Sequence, residues 1–193
     1  MVKPFRLVDV PEGKGGVWEV SRFSPDDSGC MIHNIREPAR TIGHGPYTRL
    51  TKHDSVVMSD TPAELRDLFP LFGHLEGRML FNGLGLGVAL QGALDKQEVQ
   101  HVTVIEISSD VISLVAGHYK ERYGDRLTVI HADALIWKPP KGTRYNAVWH
   151  DIWPDICGDY WPEMVTLSRR YGKRCDWQSS WCRYQTRRAA HCG

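Results

Sequence analysis

The chain has 193 residues, of which 41% are hydrophobic and 24% are charged, and its formal net charge is +1. This length and composition predict one globular domain with a small appendage, and they exclude the disordered and fibrous classes. The balanced charge also excludes a global field that would recruit nucleic acid or a membrane surface. The N-terminal sequence resembles no signal peptide, and no run approaches the roughly 20 apolar residues of a membrane span. Five cysteines without a C-x-x-C pair argue against a disulfide framework or a zinc finger, so we expect a soluble, cytoplasmic protein.

Residues 1–60 are rich in turn formers, such as the runs 12–16, 24–29 and 43–46. Short β-prone pieces, 17–20 and 55–58, lie between these turns. Short strands separated by Gly/Pro turns predict a small antiparallel β appendage over residues 1–60.

The pattern changes at Thr61, where Thr61, Pro62 and Glu64 stand at the spacing of a helix start with a capping box. Apolar residues follow at helical spacing, and Pro70 is expected to end or kink that helix.

Residues 61–193 then alternate between strands and helices. The predicted strands are 79–81, 101–107, 127–131, 145–152 and about 175–181, and the predicted helices begin near 88, 109 and 160, with a basic helix at the C-terminus. This alternation predicts parallel βαβ units, and therefore an α/β fold with a doubly wound, mostly parallel Rossmann-like sheet.

The first of these strands ends in a glycine turn. The turn residues Asn82, Gly83, Leu84, Gly85 and Gly87 allow the backbone to approach a ligand closely at the N-terminus of the next helix. The dinucleotide fingerprint G-x-G-x-x-G/A needs a small residue where this chain has Val88. The turn therefore favours an adenosine ligand other than a nicotinamide dinucleotide.

Two carboxylates follow at the ends of the second and third strands. Glu106 can accept hydrogen bonds from both hydroxyls of a ribose, and Asp133 can accept one from an adenine amine. Ile107 and Ala134 can sandwich the base. Three successive strand ends carrying such groups are more specific than any one alone.

These motifs, together with Asn146–Ile152, resemble those of class I S-adenosylmethionine-dependent methyltransferases, particularly the spermidine-synthase-like branch and its small phage-type members. The resemblance covers about residues 50–181. It implies that S-adenosylmethionine is the cofactor, that the three glycines approach its methionine part, that Glu106 takes the ribose and that Asp133 takes the adenine.

The chain departs from this family in two ways. Asn82 replaces the acidic residue that many methyltransferases carry, and the chain stops soon after the fifth strand, where the fold usually adds two more. We therefore expect the open sheet edge to be covered by the terminal helix, by the N-terminal appendage or by a second copy in a homo-oligomer.

The fourth strand leads to the reactive end of the predicted site. Asp151 and His150 are candidate bases for an acceptor that must lose a proton, and Trp153 and Asp155 are candidate substrate contacts. Spermidine synthases carry a D-x-x-D pattern here, whereas this chain has Pro154 in the second position. Aminopropyl transfer is therefore disfavoured but stays open.

No distinctive metal-ligand spacing occurs around His150, Asp151, Asp155 and Asp159, so no metal is predicted. Residues 165–193 carry seven basic side chains, which either contact phosphates or form a solvated helix face with cations near helix C-termini; the latter is slightly preferred.

The leading prediction is an S-adenosylmethionine-dependent methyltransferase acting on a small-molecule or nucleic-acid acceptor. An aminopropyltransferase and a non-catalytic cofactor-binding protein are the alternatives, and a nicotinamide dehydrogenase ranks last.

Overall fold

The computed structural model describes residues 5–36 and 38–191, which form two sheets. The N-terminal sheet is antiparallel with strand order β1-β2-β3-β4. Its strands are β1 (Gly13–Gly15), β2 (Trp18–Phe23), β3 (Tyr47–Lys52) and β4 (Ser55–Ser59). Helix α1 (Asp27–Arg36) and a 3-10 turn (Pro38–Arg40) connect β2 to β3.

The second sheet has five strands that are all parallel, in the order β7-β6-β5-β8-β9. Its strands are β5 (Gly77–Asn82), β6 (Val99–Glu106), β7 (Leu127–His131), β8 (Tyr145–His150) and β9 (Cys175–Ser180). The order reverses between β5 and β8, and ligands bind at such a switch point in open α/β sheets.

Helices lead into and connect these strands. They are α2 (Pro62–Asp67), α3 (Phe69–Phe72), α4 (Val88–Leu94), α5 (Ser109–Val111), a π-helical turn (Ile112–Ala116), α6 (Gly117–Tyr123), α7 (Trp161–Tyr171) and α8 (Arg183–His191). The α5 segment begins as expected, because the Ser108 hydroxyl accepts a hydrogen bond from the backbone N–H of Val111. No helix in the described part of the chain is long and apolar enough to cross a membrane.

The parallel sheet is covered on both faces. Met79 and Phe81 of β5 point into one core with the α4 and α6 side chains, whereas Leu80 points into a second core with α7. This period of two follows from the strand geometry, and burial on both faces explains why residues 79–81 of β5 are all apolar.

The predicted fold class is therefore confirmed: an α/β, doubly wound, Rossmann-like parallel sheet with a small N-terminal antiparallel sheet. Helix α1 was not predicted, because the turn formers at 24–29 suggested a loop. Its start nevertheless carries a local signal, since the carboxylate of Asp26 accepts a hydrogen bond from the N–H of Gly29 at 2.6 Å.

The helix predicted after Thr61 forms, but without its capping box. The Thr61 hydroxyl bonds the Ser59 hydroxyl at 3.0 Å instead of capping α2. Pro70 interrupts the helical segment as expected, because α2 ends at Asp67 and the short α3 begins at Phe69. The carboxylate of Glu64 is thereby free to face another part of the molecule.

Candidate active site

A cavity of about 270 Å³ lies where the carboxyl ends of β5, β6 and β8 meet the N-terminal sheet. Gly83, Gly85, Glu106 and Ile107 form its wall on one side of the strand switch, and Asp151 lies on the other. The N-terminal sheet closes the cavity with a separate group of side chains: Trp18, Leu50, Lys52, Val57 and Met58.

Glu106 is positioned by the two backbone segments that surround it. One carboxylate oxygen accepts a hydrogen bond from the N–H of Leu84, and the other accepts one from the N–H of Ser108, both at 2.9 Å. The side chain is only 8% exposed. The carboxylate therefore links the glycine turn to the end of β6, and each oxygen keeps a further lone pair toward the cavity.

The glycine turn needs glycine for packing as well as for access. At Gly83, where φ is +103°, a Cβ would lie 1.9 Å from the carbonyl oxygen of Asp151. At Gly87, where φ is +75°, a Cβ would lie 2.2 Å from the ring of Tyr119. Gly87 is therefore a packing residue below the turn, because the Tyr119 ring is fixed by its hydroxyl donating to the Leu86 carbonyl at 2.8 Å.

Met58 lies across this turn from the N-terminal sheet. Its sulfur accepts a hydrogen bond from the N–H of Leu86 at 3.3 Å and lies beside Gly85. A thioether thus already contacts the part of the turn that the family resemblance assigns to the methionine of the cofactor.

Asn82 and His150 lie together below the cavity and not in its wall. Both are fully buried, and the Asn82 amide donates to Nδ1 of His150 at 2.7 Å. The Nε2–H of His150 then donates to the Gln178 side-chain oxygen at 3.2 Å. Burial lowers the pKa of His150 to about 4, so the ring is a neutral bridge between β5 and β9.

Two carboxyl groups with raised pKa values line the same cavity. Burial raises the pKa of Asp151 to about 7 and that of Glu64 to about 7. Glu64 also has the Arg40 guanidinium 3.8 Å away, but Arg40 is closer to Asp67, at 2.7 Å. Glu64 was missed as a site residue because its sequence position indicated only a helix cap.

The remaining candidates have different environments. Trp153 is 5% exposed, lines the cavity and donates its indole N–H to Glu163 at 2.8 Å, so it is a fixed wall. Asp155 is exposed and does not line the cavity.

Asp133 and Ala134 lie in the turn after β7, outside the cavity wall. Asp133 accepts a hydrogen bond from the N–H of Leu135 at 2.7 Å, which stabilises this turn. Ala134 is buried, and its carbonyl accepts from Arg170 at 2.7 Å. No cluster of three or more His, Cys, Asp or Glu side chains suited to a metal occurs among residues 5–36 and 38–191.

Comparison of the sequence with protein-family models and with curated proteins gives no match. Solved structures do match. The structure of TrmN from Thermus thermophilus aligns with a TM-score of 0.50 and 15% identity, covering 67% of this chain and 41% of that one. The chain has the Rossmann-like methyltransferase fold.

Two further structures are similar over shorter stretches. The CcbJ methyltransferase from Streptomyces caelestis aligns with a TM-score of 0.43 and 15% identity, covering 51% of this chain and 39% of that one. The DhpI-SAH complex aligns with a TM-score of 0.41 and 20% identity, covering 53% of this chain and 46% of that one. This chain thus spans less than half the length of each of the three structures, and the similarity to TrmN shows the fold alone.

Proposed function

We propose that this protein binds S-adenosylmethionine and transfers its methyl group to an acceptor. The observation that carries the proposal is the single cavity that joins the glycine turn and Glu106 to Asp151, across the switch point of the parallel sheet. Ligands of doubly wound sheets bind at this place.

The residues present suit an adenosine cofactor. A carboxylate has about four lone-pair positions, and the two backbone N–H groups at Glu106 use only two of them. The other two are available to the hydroxyls of a ribose. Ile107, which is 65% exposed at the cavity wall, offers an apolar surface to the base. The assignment of Asp133 and Ala134 to the adenine stays a prediction.

The cofactor supplies an electrophilic methyl group on a sulfonium when it is bound. The protein then has to place the acceptor in line, exclude water and, where the nucleophile carries a proton, accept that proton. Asp151 suits the last role, because a base with a pKa of about 7 is half ionised near neutral pH. The buried Trp153 and the tryptophan Trp18 of the N-terminal sheet supply apolar walls.

A nicotinamide dinucleotide fits this site less well. Val88 begins α4 and is 2% exposed, so its side chain fills the space that the third residue of the dinucleotide fingerprint leaves open for close helix packing.

Calorimetric titration of the protein with S-adenosylmethionine, S-adenosylhomocysteine and NAD tests the proposal. We expect both sulfur nucleotides to bind with a dissociation constant on the order of micromolar, and NAD not to bind. Absence of binding by both sulfur nucleotides would contradict the proposal. If S-adenosylmethionine binds tightly but no methyl group is transferred to any nucleic acid, protein or small molecule tested, the protein binds the cofactor without catalysis.

A further inference from the structure

A second cavity, of about 410 Å³, lies beside the first, and we call it the α8 cleft. It is bordered by the first turns of α8 and by the end of α2, and its charged side chains are Arg66, Asp67, Arg183 and Arg187. Ser180 and Cys182, at the end of β9, form its floor. Nothing in the proposed cofactor site uses this cleft.

Two arginines of α8 are like charges that lie close together over one tryptophan ring. Arg183 and Arg187 stand one turn apart and approach the same Trp161 ring, at 5.3 and 5.9 Å from its centroid. Like charges at this spacing destabilise a helix, and Arg183, at the helix N-terminus, also opposes the helix dipole. Burial, followed by the charge of Arg187, lowers the pKa of Arg183.

The described residues offer these two arginines no compensating carboxylate. Arg183 donates to the neutral Ser168 hydroxyl at 2.7 Å, and neither arginine forms an ion pair within residues 5–36 and 38–191. The first turn of α8 contains no acidic residue. Asp67 does not neutralise them, because Arg40 bonds it at 2.7 Å. The cleft thus has a net positive charge.

A second observation also points to a missing ligand. Ser180 is 3% exposed, and its hydroxyl has no hydrogen-bond partner among the described residues. A buried polar group without a partner costs about 1–3 kcal/mol, so such groups are rare in folded proteins. The floor of the cleft therefore contains a buried hydroxyl without a partner among the described residues, beside two arginines that form no ion pair there.

The end of β9 connects the α8 cleft to the candidate active site. Ser180 and Cys182 line the cleft, whereas Trp181, between them, lines the cavity that contains Asp151. The N–H of Trp181 donates to the His150 carbonyl at 2.9 Å, which fixes this strand end beside β8. A molecule held in the cleft therefore lies next to the reactive end of the cavity.

We propose that the α8 cleft binds a phosphate group, through Arg183, Arg187 and the free N–H groups of the first turn of α8, and that this phosphate belongs to the methyl acceptor. Guanidinium groups and helix N-termini are both suited to phosphate oxygens. The assignment to the acceptor rests on the proposed methyl transfer, whereas the binding of phosphate does not. The shared chemistry is that of a nucleotide or of a nucleic-acid strand.

The test uses the full chain and three probes: uridine 5′-monophosphate, uridine and a single-stranded RNA of about 12 nucleotides. Calorimetry measures the first two, and fluorescence polarisation measures the labelled strand. We expect the monophosphate to bind and uridine not to bind. Tighter binding of the strand than of the monophosphate, by about tenfold or more, identifies a strand as the source of the phosphate. Comparable binding identifies a nucleotide, and either result supports the site.

Arg187→Gln is the informative variant, because Arg187 is exposed and its guanidinium forms no ion pair within residues 5–36 and 38–191. We expect it to weaken monophosphate binding about tenfold, which is the scale of one charge-assisted hydrogen bond. Arg188→Gln is the matched control, since it removes the same charge from the exposed surface of the same helix but outside the cleft. It should change the affinity by less than about twofold.

If both variants lose the same affinity for the monophosphate, the binding is non-specific electrostatic attraction and the proposed site is refuted. Equal binding of uridine and its monophosphate, or no binding of any probe, would also overturn it. Titration of the same variants with S-adenosylmethionine separates the two proposals. If the protein binds S-adenosylmethionine but no phosphate probe, only the proposal of a phosphate site in the α8 cleft is refuted. If it binds the phosphate probes but not S-adenosylmethionine, only the proposal of methyl transfer is refuted.

Discussion

Replacement of Glu106 by glutamine tests the centre of the proposed site. The Glu106 carboxylate accepts one hydrogen bond from the N–H of Leu84 and one from the N–H of Ser108. Glutamine has the same shape but replaces one of these acceptors with an NH₂ donor. One backbone N–H then faces another donor, whichever way the amide is oriented.

The magnitude follows from this geometry. Losing one hydrogen bond to a charged acceptor at a site only 8% exposed should lower the free energy of unfolding by about 1.5–3 kcal/mol. Binding of S-adenosylmethionine should become less favourable by about the same free energy, because the ribose hydroxyls lose a charged acceptor. This corresponds to a dissociation constant about 10- to 150-fold higher.

Urea unfolding measures the first quantity, and calorimetric titration measures the second. Glu121→Gln is the control, since Glu121 is an exposed carboxylate on α6 outside the cavity wall, and both quantities should stay unchanged there. A Glu106→Gln protein that is destabilised but binds the cofactor as tightly as the wild type would refute the ribose assignment. Unchanged stability would refute the geometric argument itself.

Three further predictions concern other residues of the site. Asp151→Asn should change the affinity for the cofactor by less than about twofold, but it should lower the rate of methyl transfer to an identified acceptor about 100-fold or more. The rise of activity near pH 7 should also be lost in this variant. Equal rates of the variant and the wild type would exclude Asp151 as the base. Gly87→Ala should lower the free energy of unfolding by at least about 1–2 kcal/mol, because φ is +75° and Tyr119 blocks the Cβ. Gly117→Ala should instead raise it by about 0.5–1 kcal/mol, because Gly117 continues the π-helical turn into α6 and a Cβ there meets nothing within 4 Å. Asp151 and Glu64 have folded pKa values of about 7, above their ordinary 3.8 and 4.5, so they stabilise the fold at low pH and this contribution is lost as pH rises through about 7. Urea unfolding between pH 4 and 8 measures this slope, and a flat profile that Asp151→Asn leaves unchanged would contradict it.

The parallel sheet was predictable because its signals are local. β5 contains the apolar run 79–81 and leads into the glycine turn, and β6 ends beside the capping residue Ser108. Parallel strands buried on both faces produce such apolar runs. The glycine turn and Glu106 were predicted as site residues for a similar reason, because the ends of parallel strands meet at one edge of the sheet.

The role of Glu64 could not be read from the sequence. A Glu three residues after Thr61 is the standard sign of a capping box, and only the fold shows that the Thr61 hydroxyl bonds Ser59 instead. The two raised pKa values likewise depend on burial, which only the fold shows. The sequence predicted only a small β appendage for this sheet, whereas in the structure its Met58 and Trp18 close the cavity.

The two cavities lie on either side of the end of β9 and differ in the charge of their side chains. Trp181 separates the Asp151 side, where carboxyl groups of raised pKa suit proton transfer, from the α8 cleft, where unpaired cations suit an anion. An anionic group near Asp151 would raise the pKa of that carboxyl further, so the two functions require separate compartments. Asp67 lies at the border of the cleft, where the Arg40 guanidinium pairs with it at 2.7 Å. This separation allows one acceptor to be anchored by its phosphate in one compartment while its nucleophile is deprotonated in the other.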